Sequence, residues 1–361
     1  MENYKIDLSG NFKDNQEEKT KGGIFHSPAF RFFIFCFILL FCFFSTTIIL
    51  SQGTMKNIPS LAFWEGSFRY ITGWDKVLSG QKQDRINILL LGMGGQGHDG
   101  EYLTDTIILV SYKPSLNSFA IFSIPRDLYV PIKGAGWQKI NYAYAFGEMK
   151  KGKGGELASQ TIEDVFDIPV HYWGAIDFKN FVDLIDWLGG VLINVEEGFV
   201  DNQFPGENYT YRTVVFEPGE QLMDGQRVLE YVRSRHGTNG QASDFARAKR
   251  QQQVILAIKE KLKQVDILKP AQIWYFYNFF VSKIKTNLSI SDALSLSKMI
   301  SKSPLEARFK TFVLSDENFL YPSKSSKGEY ILLPKGGSFG EISQFIKNIF
   351  TNEPFASLDK D

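Results

Sequence analysis

The stretch that decides the fold is INILLLGMGGQGHDGEYLTDTIILVSYKPSLNSFAIFSIPRD, residues 86–127. It begins with a continuous apolar run, residues 86–91, which is typical of a buried central strand. Two further strands are predicted over residues 105–111 and 118–124. The segment between them, residues 113–117, is rich in turn-forming residues. We therefore predict a sheet in which these two strands form an antiparallel hairpin.

Downstream of this stretch, predicted strands alternate with predicted helices. Strand patterns occupy residues 170–176, 191–195 and 330–333. The alternation indicates an α/β fold, an α-β-α sandwich with a mixed central sheet. We predict that one transmembrane helix precedes this domain. No Pro-, Gly- or Ser-rich linker precedes residues 263–361, so we predict that this extension packs on the same domain. The predicted helices are residues 155–166, 178–188, 226–232, 244–263 and 340–350.

The predicted transmembrane helix occupies residues 30–50. Residues 32–50 carry no charge, and at about 1.5 Å rise per residue they are just long enough to cross a hydrocarbon core of roughly 30 Å. A cleaved signal peptide is the alternative, although its apolar core would normally be shorter and a small-residue cleavage site would follow it. We expect a disordered cytoplasmic tail over residues 1–29 and a juxtamembrane linker over residues 51–84.

The charges that flank this segment predict its orientation. Lys19, Lys21 and Arg31 precede the apolar run, whereas Lys56 is the one basic residue soon after it. Basic residues favour the cytoplasmic side of a membrane segment. We therefore expect a single-pass protein of the cell membrane, with its N-terminus in the cytoplasm and everything after residue 50 outside.

The composition excludes several classes of protein. Forty basic residues balance forty acidic ones, so no global positive field attracts nucleic acid. Cys36 and Cys42 both fall within the predicted membrane segment, which excludes a disulfide framework, a cysteine nucleophile and a zinc–thiolate site in the outer domain. His98, His171 and His236 are scattered along the remaining chain, so a three-histidine metal site is not expected.

A cluster of arginines is the first candidate for chemistry. Arginine suits phosphate because its planar guanidinium offers paired donors and keeps its charge. On the predicted helix that starts at Asp244, this aspartate shares one face with Arg247 and Gln251. The pattern indicates a diphosphate pocket, and a solvated basic helix face is the alternative. Four arginines lie within eighteen residues: Arg233, Arg235, Arg247 and Arg250.

The predicted hairpin supplies a second candidate. Asp105 begins its first strand, and Arg126 follows its second strand. In an antiparallel hairpin these two positions lie side by side at one edge of the sheet. The pair is either a structural ion pair or a metal ligand beside a phosphate-binding arginine.

These segments together resemble the LytR-CpsA-Psr family of cell-wall glycopolymer ligases. The resemblance covers residues 85–262, and the N-terminal anchor also fits. Several motifs in the right order are far more specific than any one of them. The matching segments are NILLLG (87–92), TDT (104–106), SIPRD (123–127), KINYAY (139–144), DGQ (224–226), YVRSR (231–235), DFAR (244–247) and RQ (250–251).

The resemblance implies a phosphotransferase that moves a glycopolymer, with its proximal phosphate, from an undecaprenyl pyrophosphate carrier to a peptidoglycan hydroxyl. It implies that Asp105 holds Mg²⁺ at the pyrophosphate. Catalysis is expected from Arg126, Asp127, Arg233 and Arg235. Substrate binding is expected from Lys139, Arg247 and Gln251. The alternatives are a non-catalytic envelope regulator that binds polyprenyl phosphates, or a polyprenyl pyrophosphatase.

The sequence departs from the family pattern in two places. The family usually has a second metal-binding aspartate where this chain has Gly94. Asp99 or Glu101, in the Gly-rich loop of residues 92–101, could replace it, and we assign Asp99 as the second ligand. The segment of residues 236–243 is about two residues longer than the family pattern and borders the predicted site.

Overall fold

A six-stranded mixed sheet forms the centre of the fold. The structure is a computed structural model and describes residues 77–206, 210–264, 282–301 and 308–351. The strand order is β11-β6-β1-β2-β3-β12. The strands of this sheet are β1 (Ile86–Met93), β2 (Thr104–Lys113), β3 (Ser118–Ser123), β6 (Tyr172–Asp177), β11 (Lys285–Thr286) and β12 (Arg308–Val313).

The remaining strands form two-stranded ribbons, and seven helices alternate with groups of strands along the described residues. The ribbons pair β4 with β5, β7 with β10, β8 with β9, and β13 with β14. Their strands are β4 (Tyr129–Ile132), β5 (Gly136–Lys139), β7 (Val191–Val195), β8 (Phe199–Pro205), β9 (Tyr211–Phe216), β10 (Gly219–Met223), β13 (Leu320–Lys324) and β14 (Tyr330–Pro334). The helices are α1 (Tyr142–Lys151), α2 (Gly154–Phe166), α3 (Phe178–Trp187), α4 (Gly225–Arg233), α5 (Asp244–Gln264), α6 (Ile290–Ser301) and α7 (Gly340–Asn348).

The apolar run of β1 lies in the middle of the sheet, with a paired strand on each side and packed side chains on both faces. It pairs antiparallel with β2 and parallel with β6. β2 and β3 pair antiparallel, and a 3-10 turn over Pro114–Leu116 joins them, so the predicted hairpin is confirmed. Asn117 ends this turn in the left-handed region at φ 42°, a conformation that asparagine tolerates better than most residues.

Helices lie against both faces of the sheet. On one face, Leu89, Leu109 and Phe122 pack in a core shared with α1, α2 and α7. On the other face, Ile88 packs with residues of α6. The amide of Gln252 on α5 donates to Ser123 Oγ at 2.9 Å, which fixes α5 over β3 on that second face. The mixed α/β fold with a mixed central sheet is therefore confirmed.

A second apolar core lies beside the central sheet. It contains buried residues of α3, α4 and α5 together with residues of β7, β8, β9 and β10. The ribbon β8–β9 is a feature that the sequence pattern does not predict. Asp201 interrupts its apolar residues, and the strand register shifts between Asp201 and Phe204. A buried acid in an apolar strand and a bulge both remove the regular alternation on which strand prediction depends.

The predicted membrane segment, residues 30–50, lies outside the described residues. Within the part of the chain that the structure describes, no helix combines the length and apolarity needed to cross a membrane. The flanking segments predicted as tail and linker lie outside that part too, except for residues 77–84.

A buried polar network ties the last helix to the first strand. Arg85 Nε donates to Ser111 Oγ at 2.8 Å, and that hydroxyl donates to Asn87 Oδ1 at 2.7 Å. The guanidinium also donates to the carbonyls of Ile346 (2.6 Å) and Lys347 (2.8 Å). These carbonyls lie in the last turn of α7, where backbone acceptors lack helical partners. Arg85 therefore caps α7 and fastens it to the sheet.

His171 contacts the same network as a neutral acceptor. Its Nδ1 accepts the backbone N–H of Asn87 at 2.9 Å, so Nδ1 carries no proton. The pKa of His171 is lowered, mainly by burial and also by the nearby positive charge of Arg85. The negative charge of Glu163 opposes this shift but does not cancel it. In the unfolded chain the imidazole has its ordinary pKa of about 6.5. As the pH falls below that value, the unfolded state takes up the proton before the folded state does, and stability is lost.

We predict that His171→Asn flattens the pH dependence of the free energy of unfolding between pH 7 and pH 5. In the wild-type chain, the contribution of neutral His171 to the free energy of unfolding is fully present above about pH 6.5 and declines at lower pH. Asparagine keeps an acceptor near the Nδ1 position but does not titrate. Urea unfolding at several pH values measures the slope, and His236→Asn, at an exposed position, serves as the control. Equal slopes in wild type and His171→Asn would contradict the assignment.

Candidate functional site

Charged side chains meet where β2 begins and β3 ends. Arg126 Nη1 donates to Asp105 Oδ1 at 2.6 Å, so these two residues are neighbours at one edge of the sheet, as predicted. Arg126 Nε lies 3.5 Å from Asp127 Oδ2. Lys139 at the end of β5 binds the other oxygen of Asp127, with Nζ 2.7 Å from Oδ1. A chain of alternating charges therefore runs along this edge.

A cavity of about 270 Å³ opens at this edge. Residues at the start of β2, the end of β3 and the first turns of α5 line it, together with the segment after β12 and part of β14. Gln251 is fixed in its wall by a hydrogen bond from Nε2 to Thr106 Oγ1 at 3.0 Å. The cavity brings together five residues that the sequence predicts for the site: Asp105, Arg126, Asp127, Arg247 and Gln251.

The first turn of α5 faces this cavity. Ser243 caps the helix, since its Oγ accepts the N–H of Ala246 at 3.0 Å. The positive end of the helix dipole and the cavity-lining arginines favour the same kind of ligand, an anion. Arg247 lies 3.0 Å from Asp244 (Nη1 to Oδ1), and its side chain is only 9% exposed. Asp244, Arg247 and Gln251 thus share a face that lines the cavity, with Asp244 at its solvent-exposed rim.

Arg233 and Arg235 stand beside the cavity without lining it. Arg233 ends α4, and its guanidinium lies over the Phe178 ring, 4.5 Å from the ring centre. Electrostatic interactions join Arg233 and Arg235 to each other and to Asp105. Arg235 also interacts with Arg126, Asp127 and Asp244 of the cavity wall. Lys139 likewise reaches the site through Asp127.

Burial and mutual repulsion make the arginine charges costly. Burial, with repulsion from Arg235, lowers the pKa of Arg247 to about 10. Burial also lowers the pKa of Arg233, and repulsion from Arg235 adds to this shift. The pKa of Arg235 is lowered by burial and by repulsion from Arg126. The pKa of Arg126 is raised because attraction to Asp105 and Asp127 outweighs its burial. An anion in the cavity would relieve the repulsion among the other three.

Two of these guanidinium groups have unused hydrogen-bonding capacity. Within the described residues, Arg126 Nε and Arg247 Nη1 are buried and have no hydrogen-bond partner. Both nitrogens lie near carboxylates, at 3.5 Å and 3.0 Å, but these contacts lack hydrogen-bond geometry. Buried donors are usually paired, and an unpaired one costs about 1–3 kcal/mol. An acceptor-rich ligand such as phosphate would satisfy both.

The fourth arginine of the sequence cluster has a structural role. Arg250 is 2% exposed, and its Nε donates to the carbonyl of Tyr231 at 2.9 Å. Its Nη2 donates to the carbonyl of Ser234 at 2.6 Å, and its Nη1 to Gln241 Oε1 at 2.9 Å. Arg250 therefore holds the segment that carries Arg233, and it also fastens the long loop of residues 236–243.

Asp201 holds the same segment from the opposite side. This fully buried carboxylate accepts the Ser234 hydroxyl at 2.6 Å and the backbone N–H groups of Arg235 and His236 at 3.1 Å and 3.2 Å. Burial opposes ionisation, but these hydrogen bonds outweigh it and hold the pKa of Asp201 below its ordinary value. Sequence reasoning missed Asp201, because a lone aspartate in an unpredicted strand carries no recognisable signal.

The Gly-rich loop does not supply a second carboxylate to the cavity wall. Asp99 is exposed and is not among the residues that line the cavity. The Glu101 carboxylate accepts the Tyr102 hydroxyl, which raises the pKa of that tyrosine. A Cβ added at Gly94 would lie 2.8 Å from the Cβ of His98, so an aspartate there would force the loop to shift.

The described ranges contain no group of three or more His, Cys, Asp or Glu residues placed to hold a metal ion. Asp105 is the cavity carboxylate that the sequence predicts as a metal ligand; its side chain is 38% exposed, and its Oδ1 accepts a hydrogen bond from Arg126. A metal ion at this edge would need additional ligands from substrate or solvent.

Residues far along the chain complete the cavity wall. They come from the segment after β12 and from β14, and sequence reasoning did not assign them to the site. The hydroxyl of Ser315 is buried and has no partner within the described residues. No motif marks these positions. The pairing of β12 with β3 brings the segment after β12 to the site, and a bridge between Leu332 and Leu128 brings β14 there. These wall residues include Ser315, Asp316, Glu317 and Tyr330.

Comparison with known proteins shows what this chain is similar to. The model of the LytR_cpsA_psr family matches residues 68–341. The polyisoprenyl-teichoic acid–peptidoglycan teichoic acid transferase TagT of Bacillus subtilis is 33% identical over 260 residues, which is 70% of this chain and 74% of TagT. The corresponding TagU of Oceanobacillus iheyensis is 35% identical over 195 residues, which is 54% of this chain and 57% of TagU.

A solved structure agrees with the sequence comparison. TagT with bound octaprenyl pyrophosphate lipid has a TM-score of 0.53 and 27% identity to this chain, over 74% of this chain and 90% of that one. The family match extends beyond both ends of the segment that the motifs mark, residues 85–262. The motifs, the fold and the extent of the match lead to one conclusion: this chain belongs to the LytR_cpsA_psr family, the LytR-CpsA-Psr proteins.

Proposed function

We propose that this chain is a phosphotransferase that moves a glycopolymer, with its proximal phosphate, from an undecaprenyl pyrophosphate carrier to a hydroxyl of peptidoglycan. One observation carries the proposal: Arg126 and Arg247, which line one cavity, each have a buried N–H group without a hydrogen-bond partner within the described residues. Relatives named as teichoic acid transferases, and a related structure that holds octaprenyl pyrophosphate, support the same substrate class.

In the proposed reaction, the acceptor hydroxyl oxygen forms a bond to the phosphorus that carries the glycopolymer. The bond from this phosphorus to the bridging oxygen breaks, and undecaprenyl phosphate leaves. The hydroxyl proton passes to Asp127, which also orients Arg126. Arg126 and Arg247 neutralise the charge that develops on the phosphate oxygens, because preorganised donors in a buried site stabilise such charge strongly.

The other predicted residues have supporting roles in this proposal. Arg233 and Arg235 stabilise the negative phosphate that leaves with the lipid. Their positive charges lie close enough to interact with Asp105, and that of Arg235 also interacts with Arg126. Lys139 holds Asp127 in place. Gln251 donates within the cavity wall and helps to position the transferred group.

Asp105 is the residue that we propose to hold Mg²⁺. Sites for Mg²⁺ on phosphate substrates use one or two carboxylates, with water and phosphate oxygens as the other ligands. Asp105, a partly exposed carboxylate beside the arginines of the cavity, fits that kind of site. When bound, the ion would lower the negative charge on the pyrophosphate oxygens. Asp99 as a second ligand stays a prediction.

We also propose that residues 30–50 anchor the chain in the cell membrane and that the folded domain lies outside the cytoplasm. The uncharged run of residues 32–50 and the basic residues before it support this arrangement. A polyprenyl carrier lies in the membrane, so an anchored enzyme meets its donor at the membrane surface.

We predict that Arg247→Met lowers transfer from a synthetic lipid-linked donor to soluble glycan by at least about 100-fold, the usual effect of removing a preorganised charge-stabilising donor. Lys249→Met is the matched control, because Lys249 lies on the same helix but does not line the cavity, and its Nζ binds the exposed Glu196 at 2.9 Å. Product analysis separates the alternatives. Release of the glycopolymer phosphate to water would indicate a pyrophosphatase, and donor binding without turnover would indicate a regulator.

We predict that Asp105→Asn abolishes the response of the transfer rate to added Mg²⁺. The rate itself should fall about 100-fold, because the remaining arginines would face the pyrophosphate without the ion. A titration of wild type and variant with MgCl₂ measures both effects. An unchanged Mg²⁺ response in the variant would exclude Asp105 as the ligand.

We predict that Asp201→Asn impairs donor binding without affecting acceptor binding. Asparagine lacks the charge that pairs with three donors of the segment, and the loss of such a buried acceptor costs about 1–3 kcal/mol. Arg235 should then be misplaced, so the KM for the donor rises about tenfold while the KM for the glycan stays the same. A parallel rise in both constants, tracking a loss of thermal stability, would indicate a general folding defect instead.

A further inference from the structure

The outer face of the β4–β5 hairpin is an aromatic surface next to the cavity. Val130 and Ile132 of β4 are buried, so the alternating residues Tyr129 and Pro131 lie on the opposite side of the ribbon. The register pairs Tyr129 with Lys139, and Pro131 with Trp137. Tyr129, Pro131, Trp137 and Lys139 therefore share one face, which we call the hairpin platform.

Two rings form the apolar part of the hairpin platform. The ring centres of Tyr129 and Trp137 lie 5.6 Å apart, with an angle of 31° between their planes. The indole is 52% exposed, which leaves one of the largest apolar side chains of the domain in contact with solvent. The pair is thus held in place by its neighbours but is not covered by them.

The hairpin platform continues directly into the charged edge of the cavity. Lys139, one of its four residues, donates to Asp127 Oδ1 at 2.7 Å. Asp127 lines the cavity and lies against Arg126. A ligand that covers the two rings would therefore reach hydrogen-bonding groups at its inner end and solvent at its outer end.

We propose that the hairpin platform binds a sugar ring of the acceptor glycan, an inference that rests on the proposed function and names a subsite for it. One side of a pyranose ring presents several C–H groups, which pack well against the electron-rich face of an aromatic ring. The rim of the same ring carries hydroxyl groups, which suit charged partners such as Lys139 and Asp127.

The observations favour the acceptor over other occupants. Asp127 lies between the rings and Arg126, so a sugar on the platform presents its hydroxyls to the carboxylate that receives the proton. A lipid chain would gain nothing from the ion pair at the inner end of the surface and would leave it poorly solvated. The donor pyrophosphate is expected at Arg126 and Arg247, on the other side of Asp127.

The test compares Trp137→Ala, Trp137→Phe and Tyr211→Ala. Tyr211 is also a highly exposed aromatic residue, but it lies on β9 and not on the hairpin. Calorimetry measures the affinity for soluble, uncrosslinked strands of N-acetylglucosamine and N-acetylmuramic acid without donor. Steady-state kinetics then gives the KM for glycan and the KM for a lipid-linked donor.

We expect Trp137→Ala to weaken glycan binding and raise the glycan KM about tenfold, with the donor KM unchanged. Trp137→Phe should recover most of the loss, and Tyr211→Ala should resemble wild type. The unchanged donor KM of Trp137→Ala separates lost glycan binding from a general folding defect, which would affect both constants. Unchanged glycan affinity in Trp137→Ala, a rise in the donor KM, or reduced binding to phospholipid vesicles alone would overturn the proposal. Glycan binding that depends on Trp137 in a chain without transferase activity would refute the proposed function and leave the hairpin platform in place.

Discussion

The hydrogen bonds of Asp201 and Arg250 to the residues around Ser234 are the constraint on which the site depends. The carboxylate binds the N–H side of this segment and the guanidinium binds its carbonyl side, so the backbone between Arg233 and Arg235 is fixed from both directions. In a buried setting such bonds are stronger than in water, and each unpaired group would be costly. The helix end at Arg233 and the non-helical residues that follow it are consequently held so that the two arginines lie in a defined place.

This constraint lets the protein keep like charges together before any ligand arrives. Burial lowers the pKa of Arg233, Arg235 and Arg247, and repulsion between Arg235 and each of the other two adds to the cost of their charges. The folded structure tolerates this repulsion because other contacts hold each arginine. Arg233 packs on the Phe178 ring, the backbone N–H of Arg235 donates to Asp201, and Arg247 pairs with Asp244. A pyrophosphate that enters the cavity gains from charges already in position, without the cost of gathering them.

The site differs from the family pattern at the Gly-rich loop, and the physical reason is local. Position 94 lies against His98, leaving no room for the aspartate that the family usually carries there. Asp99 is turned to solvent, and Glu101 is engaged with Tyr102. Asp105 is thus the carboxylate that we propose for a metal ion, and such an ion would depend on substrate oxygens for most of its ligands.

The sequence by itself determined the strands β1 to β3, their hairpin and the contact of Asp105 with Arg126. Apolar periodicity and turn residues act over short stretches, and hairpin pairing follows from them. It also identified the face of α5 that carries Arg247 and Gln251. Only the tertiary structure decided that Arg250, three residues later, turns inward to bind backbone carbonyls, and that Asp201 and Ser315 belong to the site. The direction in which a side chain is buried, and which distant strand arrives beside it, depends on packing between elements far apart in the chain, and no local pattern records that.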